Sequence, residues 1–133
     1  MEVVLDSNVL FRILISQGDI LDLIFDTRLK IYVPQRLREE FLNHKEEILT
    51  KSSLLDEDFQ VLSSLLFERI TVVQLEEYKK YLTKARQLLA DHKKDEDFIA
   101  LCLLKHCKLW TYETRLFKIG FGISTNEISL KLS

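Results

Sequence analysis

Four short apolar runs constrain this chain most. Residues 2–6 (Glu-Val-Val-Leu-Asp), Ile31-Tyr32-Val33, Ile70-Thr71-Val72-Val73 and Leu109-Trp110-Thr111 are too short for helices and rich in β-branched and aromatic residues. Longer stretches lie between them, with apolar residues recurring at three and four, as on a helix with one buried face. Strands that alternate with helices pair in parallel, because each return must cross a face of the sheet, and helices then cover both faces. The expected fold is α/β, three layers (α/β/α) around a central parallel sheet of four to five strands. A chain of 133 residues has the size of one domain, so residues 1–133 are expected to form a single unit.

The intervening stretches divide as follows. From the first strand to about Phe25 the apolar spacing is helical but interrupted near Gly18-Asp19, which predicts two short helices. Pro34 stops the second strand. Residues 35–50 form an amphipathic helix with Leu37, Phe41, Ile48 and Leu49 inward, and residues 56–68 repeat the pattern with Phe59, Leu62, Leu65 and Leu66. Residues 76–90 read as one charged helix and residues 95–106 as a strongly apolar one. A short helix over 113–118 ends at Gly120, a natural left-handed stop. A weak strand near Ile123 and a helix from Asn126 complete the pattern. Leu54, Leu55, Leu65, Leu66 and Phe67 exceed what one buried face needs, so the helices over 56–68 and 76–90 are candidates for a paired arm or a dimer surface.

Composition narrows the function classes. With one Pro and three Gly the chain is neither linker-like nor low-complexity, and 47% hydrophobic with 30% charged residues supports a core and a solvated surface. The formal net charge of −2 excludes nucleic-acid binding through bulk charge, so any such binding must be local. Cys102 and Cys107 lie in an apolar run with neither disulfide-framework nor metal-pair spacing, and they read as small buried hydrophobes. No apolar stretch reaches the roughly 18 residues of a membrane span, and the first residues lack a signal peptide's basic start. We therefore expect a soluble, cytoplasmic protein. His44, His92 and His106 are too scattered for a zinc site, although His92 abuts Asp95 through Lys93 and Lys94.

Parallel sheets of this kind bind ligands at the carboxyl ends of their strands. At those ends stand Asp6-Ser7-Asn8, then Glu39-Glu40, then Asp95-Glu96-Asp97, then Thr111-Tyr112-Glu113. One acid there is an ordinary helix cap, favoured by the helix dipole by about 0.3–1 kcal/mol. Four acids at one edge repel and raise one another's pKa unless something compensates. The usual compensation is a hard divalent cation with oxygen ligands, Mg²⁺ or Mn²⁺.

These segments, taken in order, resemble the PIN-domain nucleases over essentially the whole chain. Val4-Leu5-Asp6-Ser7-Asn8-Val9-Leu10 resembles the family's opening strand. Val33-Pro34 with Leu37-Arg38-Glu39-Glu40-Phe41 resembles its second block, which selects Glu40 and leaves Glu39 as a flanking surface residue. Asp95-Glu96-Asp97-Phe98-Ile99-Ala100 resembles the third, which selects Asp95, and Trp110-Thr111-Tyr112-Glu113 the fourth. Two positions depart from the family pattern: Glu113 stands where Asp is usual, and Arg115 where many members carry another Asp.

The resemblance implies a metal-dependent endoribonuclease. Asp6, Glu40, Asp95 and Glu113 would be its catalytic and metal-holding acids and Mg²⁺ or Mn²⁺ its cofactor, with the second metal position weakened by the departures. Ser7, Asn8 and Thr111 would orient carboxylates or waters, against the plain readings of a helix cap and a strand-end residue. Arg115 and Lys94 are the chosen substrate contacts among the nearby cations, which also include Arg36, Arg38, Lys93 and Lys118. Tyr112 is either a platform for a base or a packing residue. The partners implied are an RNA substrate, a small antitoxin if the chain is the toxin of a toxin–antitoxin pair, and a second copy in a homodimer. An alternative is a PIN-like module that binds RNA or protein without cleaving. A phosphatase with an aspartyl nucleophile fits poorly, since it needs a second Asp where Asn8 stands.

Overall fold

The computed structural model describes residues 1–91 and 93–133, so His92 lies outside the described residues. β1 (Glu2–Leu5) is the middle strand of a five-stranded sheet. β2 (Lys30–Pro34) and then β3 (Thr71–Val73) lie on one side of it, and β4 (Lys108–Trp110) and β5 (Gly122–Ile123) on the other. All neighbours are parallel, with Val3 opposite both Ile31 and Lys108, and Leu5 opposite Trp110. Val3, Val4 and Leu5 have no exposed surface, as a strand covered on both faces requires.

Helices flank the sheet on both faces. α1 (Ser7–Ser16) packs on α3 (Gln35–Ser52) and on α4 (Asp56–Arg69), with α2 (Asp19–Ile24) leading into β2. α7 (Glu96–Lys105) lies across β1, β2 and β4, and α6 (Leu82–Leu89) packs on α7. This placement explains why α7 is apolar nearly all round. Phe98, Ile99, Ala100, Leu101 and Cys102 are consecutive and all buried, because the helix has the sheet on one side and α6 on another. α8 (Thr114–Lys118) and α9 (Thr125–Leu132) follow β4 and β5. Gly120 carries φ +87°, a conformation that a side chain would strain. Ser124 and Glu127 form a capping box that starts α9. No helix among the described residues is long and apolar enough to cross a membrane.

Three expectations change. The charged stretch over 76–90 is not one helix. It is α5 (Leu75–Tyr78), a 3₁₀ turn over Lys79–Tyr81, and then α6. Tyr78 on one side of the turn, and Ala85 and Leu89 on the other, are all buried, so the chain tightens between two anchored segments. Pro34 does not stop β2 before itself; it is the last residue of the strand and pairs with Val73, at an end where the missing N–H is tolerated. The stretches over 56–68 and 76–90 do not form a paired arm, since α4 packs on α1 and α3 while α6 packs on α7. Leu66 is buried and Leu54 and Phe67 pack against the core, which leaves Leu55 and Leu65 exposed.

Candidate active site

The strand order reverses between β1 and β4, because the chain places β2 and β3 on one side of β1 before it returns on the other. A crevice therefore opens beyond the ends of these two strands. Asp6 and Thr111 are the first residues past them. The Asp6 N–H donates to the Trp110 carbonyl at 3.0 Å, which carries the ladder one residue beyond the strand and fixes the Asp6 backbone. The Thr111 hydroxyl donates to Asp6 Oδ2 at 2.6 Å and accepts from the Glu113 N–H at 3.1 Å. One hydroxyl thus orders both segments that leave the sheet here.

Asp6, Asp95 and Glu113 occupy the N-cap positions of α1, α7 and α8, and none of the three side chains makes a capping hydrogen bond. Ordinary capping therefore does not account for them. With Glu40 from α3 they line one cavity of about 230 Å³, together with Ser7, Asn8, Arg36, His44, Lys94 and Phe98. Burial, the largest cause, and repulsion from Asp95 and Glu113 push Asp6 up to about 6, against the Thr111 hydrogen bond that favours its ionised form.

Each acid has a holder. The Ser7 hydroxyl donates to Glu40 Oε2 at 2.8 Å, and Arg36 Nε lies 3.5 Å from Glu40 Oε1. Asn8 Nδ2 donates to Glu113 Oε1 at 3.3 Å. Arg115 Nη2 stands 2.5 Å from Asp95 Oδ2 and 3.1 Å from Glu113 Oε2. Lys94 Nζ lies 4.0 Å from Glu113 at the exposed rim. Arg115 and Lys94, expected at a substrate's phosphates, are here turned onto the acids. Arg38 lines a separate hollow with Phe41 and Lys45, and Lys93 and Lys118 are exposed.

Two residues at the site were missed in the sequence. His44 borders the acid cavity, four residues and so one helical turn after Glu40; that spacing was the available signal. Asp97 is buried, accepts from the Tyr78 hydroxyl at 2.5 Å, and faces Arg36 Nη1 at 3.4 Å. Its first-turn position on α7 reads as ordinary dipole complementation, which hides its burial. Burial and this hydrogen bond raise the Tyr78 hydroxyl well above its usual range. Arg36, Glu40, Tyr78 and Asp97 also line a second hollow of about 380 Å³, which Glu39 borders from its exposed position. The two hollows share Arg36 and Glu40.

Among the described residues no three His, Cys, Asp or Glu side chains are drawn close enough to form a ready-made metal site. The donor set nevertheless suits a hard cation, since it is all carboxylate oxygen. Burial first, and then the charges of Asp95 and Glu113, raise Asp6, and Arg115 stands as a cation between Asp95 and Glu113. The residues present therefore fit a divalent ion in kind.

No curated protein matches the chain. A family model described as "PIN domain" matches residues 4–133. That match takes in the second half of β1, the other four parallel strands and every segment that lines the crevice, and the chain belongs to the PIN-domain family, whose members are generally nucleases.

Proposed function

We propose that the protein is a metal-dependent endoribonuclease that hydrolyses RNA phosphodiester bonds at the cavity beyond β1 and β4. The observation that carries this reading is that three acids stand at helix N-caps without capping, and share one cavity with Glu40. Asp6, Glu40, Asp95 and Glu113 would hold Mg²⁺ or Mn²⁺. Such an ion, when bound, supplies Lewis-acid activation of water and neutralises charge at the phosphate. The remaining work belongs to the chain's own groups. Thr111 keeps Asp6 oriented, Ser7 fixes Glu40, and Asn8 fixes Glu113. Arg36 and Arg115 offset part of the acids' charge, and Lys94 at the rim attracts a polyanion that bare acids would repel. We read residues 1–133 as one domain, acting in the cytoplasm, where Cys102 and Cys107 stay free thiols. A small antitoxin and a homodimer belong to the same reading. The exposed Leu42, Leu55, Val61 and Leu65 on or beside α3 and α4 offer a second copy an apolar surface.

One observation favours a second reading, a PIN-like module that binds without cleaving. Arg115 clasps Asp95 and Glu113, which places a permanent cation among the acids. The deciding experiment is cleavage of labelled, mixed-sequence RNA with Mg²⁺, with Mn²⁺ and with EDTA, beside Asp95→Asn. The nuclease reading expects metal-dependent cleavage that falls at least about 100-fold in the variant. RNA left intact by a native protein that also fails to bind Mn²⁺ would favour the binding module.

A further inference from the structure

A cleft of about 460 Å³ adjoins the acid cavity, and Asn8 borders both. Phe11, Arg12, Ile15 and Ser16 of α1, Lys51 of α3 and Tyr112 complete its lining. Its volume lies within the range of about 300–1,000 Å³ usual for ligand sites.

Tyr112 has an unusual setting. Its neighbour Thr111 is 1% exposed and bonded to Asp6, and its other neighbour Glu113 is held by Asn8 and Arg115. Between these two fixed residues Tyr112 is 42% exposed, whereas the core aromatics Tyr78 and Trp110 have no exposed surface. Packing therefore does not explain it. The Arg12 guanidinium carbon sits 5.5 Å from the ring centroid, so a flat cation and an aromatic ring share the cleft. Aromatic faces and guanidinium planes are what unstacked nucleobases bind, and Phe11 and Ile15 supply apolar lining. Arg12 brings a positive charge to the cleft in a chain whose net charge is −2, as a phosphate-bearing ligand requires, while Lys51 beside it is paired with Glu47 at 2.8 Å.

We propose that this cleft is a nucleobase subsite for single-stranded RNA. In it Tyr112 stacks a base, and Arg12 holds that base or its phosphate, beside the scissile bond in the acid cavity. The proposal rests on the nuclease reading and adds to it a fixed register between one base and the point of cleavage.

The test uses short labelled RNAs in which one abasic site is walked along the strand, cleaved with Mn²⁺ by the native protein, Tyr112→Leu, Tyr112→Phe and Arg12→Ala. With the native protein, KM should rise about tenfold when the abasic site falls at one position next to the cut, the scale of one stacked base. Tyr112→Leu should raise KM for the intact RNA by the same factor and lose the position dependence, and Tyr112→Phe should restore both. Arg12→Ala should raise KM as well, with the effect shrinking as salt increases. Cleavage by the native protein with no special abasic position, or with Tyr112→Leu unchanged, would overturn the subsite and leave the nuclease reading standing. That result would fit a cleft made for a partner's peptide. Absence of both cleavage and RNA binding by the native protein would overturn both readings.

Discussion

Asp6 is costly to the fold at the position where it would serve the proposed site. Its pKa in the folded protein is about 6, above the ordinary 3.8, so the folded state holds the proton more tightly than the unfolded state. The stability from that proton is fully present below about pH 4 and is lost as pH rises through 6, a loss of about 3 kcal/mol for a shift of this size. We therefore predict that Asp6→Asn melts higher than the native protein at pH 7.5 in EDTA, with the gap closing toward pH 4. Thermal unfolding at several pH values checks this, and equal melting at pH 7.5 would remove the electrostatic cost assigned to Asp6. Arg115 gives a second prediction. Its hydrogen bonds to charged partners compete with any ion at Asp95 and Glu113, so Arg115→Ala should bind Mn²⁺ about tenfold more tightly by calorimetry. At this scale Asp6, Asp95 and Glu113 were legible because each follows an apolar run or opens an apolar helix, whereas Glu40, inside α3, was singled out only by the family resemblance. Asp97 and His44 were not, because their place depends on which helices meet.

At the scale of elements, the junction of α5 and α7 rests on the Tyr78 hydroxyl and the buried Asp97 carboxylate. Tyr78→Phe keeps the ring and removes the donor, which leaves the Asp97 carboxylate with Arg36 as its partner among the described residues. Leaving a buried acceptor short of a partner costs about 1–3 kcal/mol, so chemical denaturation should show a loss of that order at pH 7. A loss below about 0.5 kcal/mol would mean that water replaces the hydroxyl. The break at this junction was hidden in the sequence for a physical reason. Tyr78, Ala85 and Leu89 keep helical spacing, so periodicity alone predicts an unbroken helix, and only the anchoring of both ends against α7 forces the 3₁₀ turn. The strands were easier to read, because a strand buried on both faces needs an uninterrupted apolar run. β5 was the faintest, with two residues in the ladder.

For the whole molecule, the acids of four separate segments meet only when the sheet and its helices are assembled. An ion bound there would favour the folded state over the unfolded one. We predict that Mn²⁺ at 100 times its Kd stabilises the native protein by about 2.7 kcal/mol, and that Asp95→Asn abolishes the gain. Differential scanning calorimetry with and without EDTA measures it, and an equal rise in the variant would place the ion elsewhere. The fold class was legible from strand and helix alternation, and the crevice followed from it. The sequence could not give the distances, since the helices decide how far Glu40 on α3 stands from Asp97 on α7. Arg36 spans that gap, reaching Glu40 at 3.5 Å and Asp97 at 3.4 Å. The acid cavity and the larger hollow beside it are thus two rooms that share two walls, Arg36 and Glu40. Arg36 lies against Glu40, which lines both rooms, and Asp97, which lines the larger one, so displacing its side chain would alter both rooms at once.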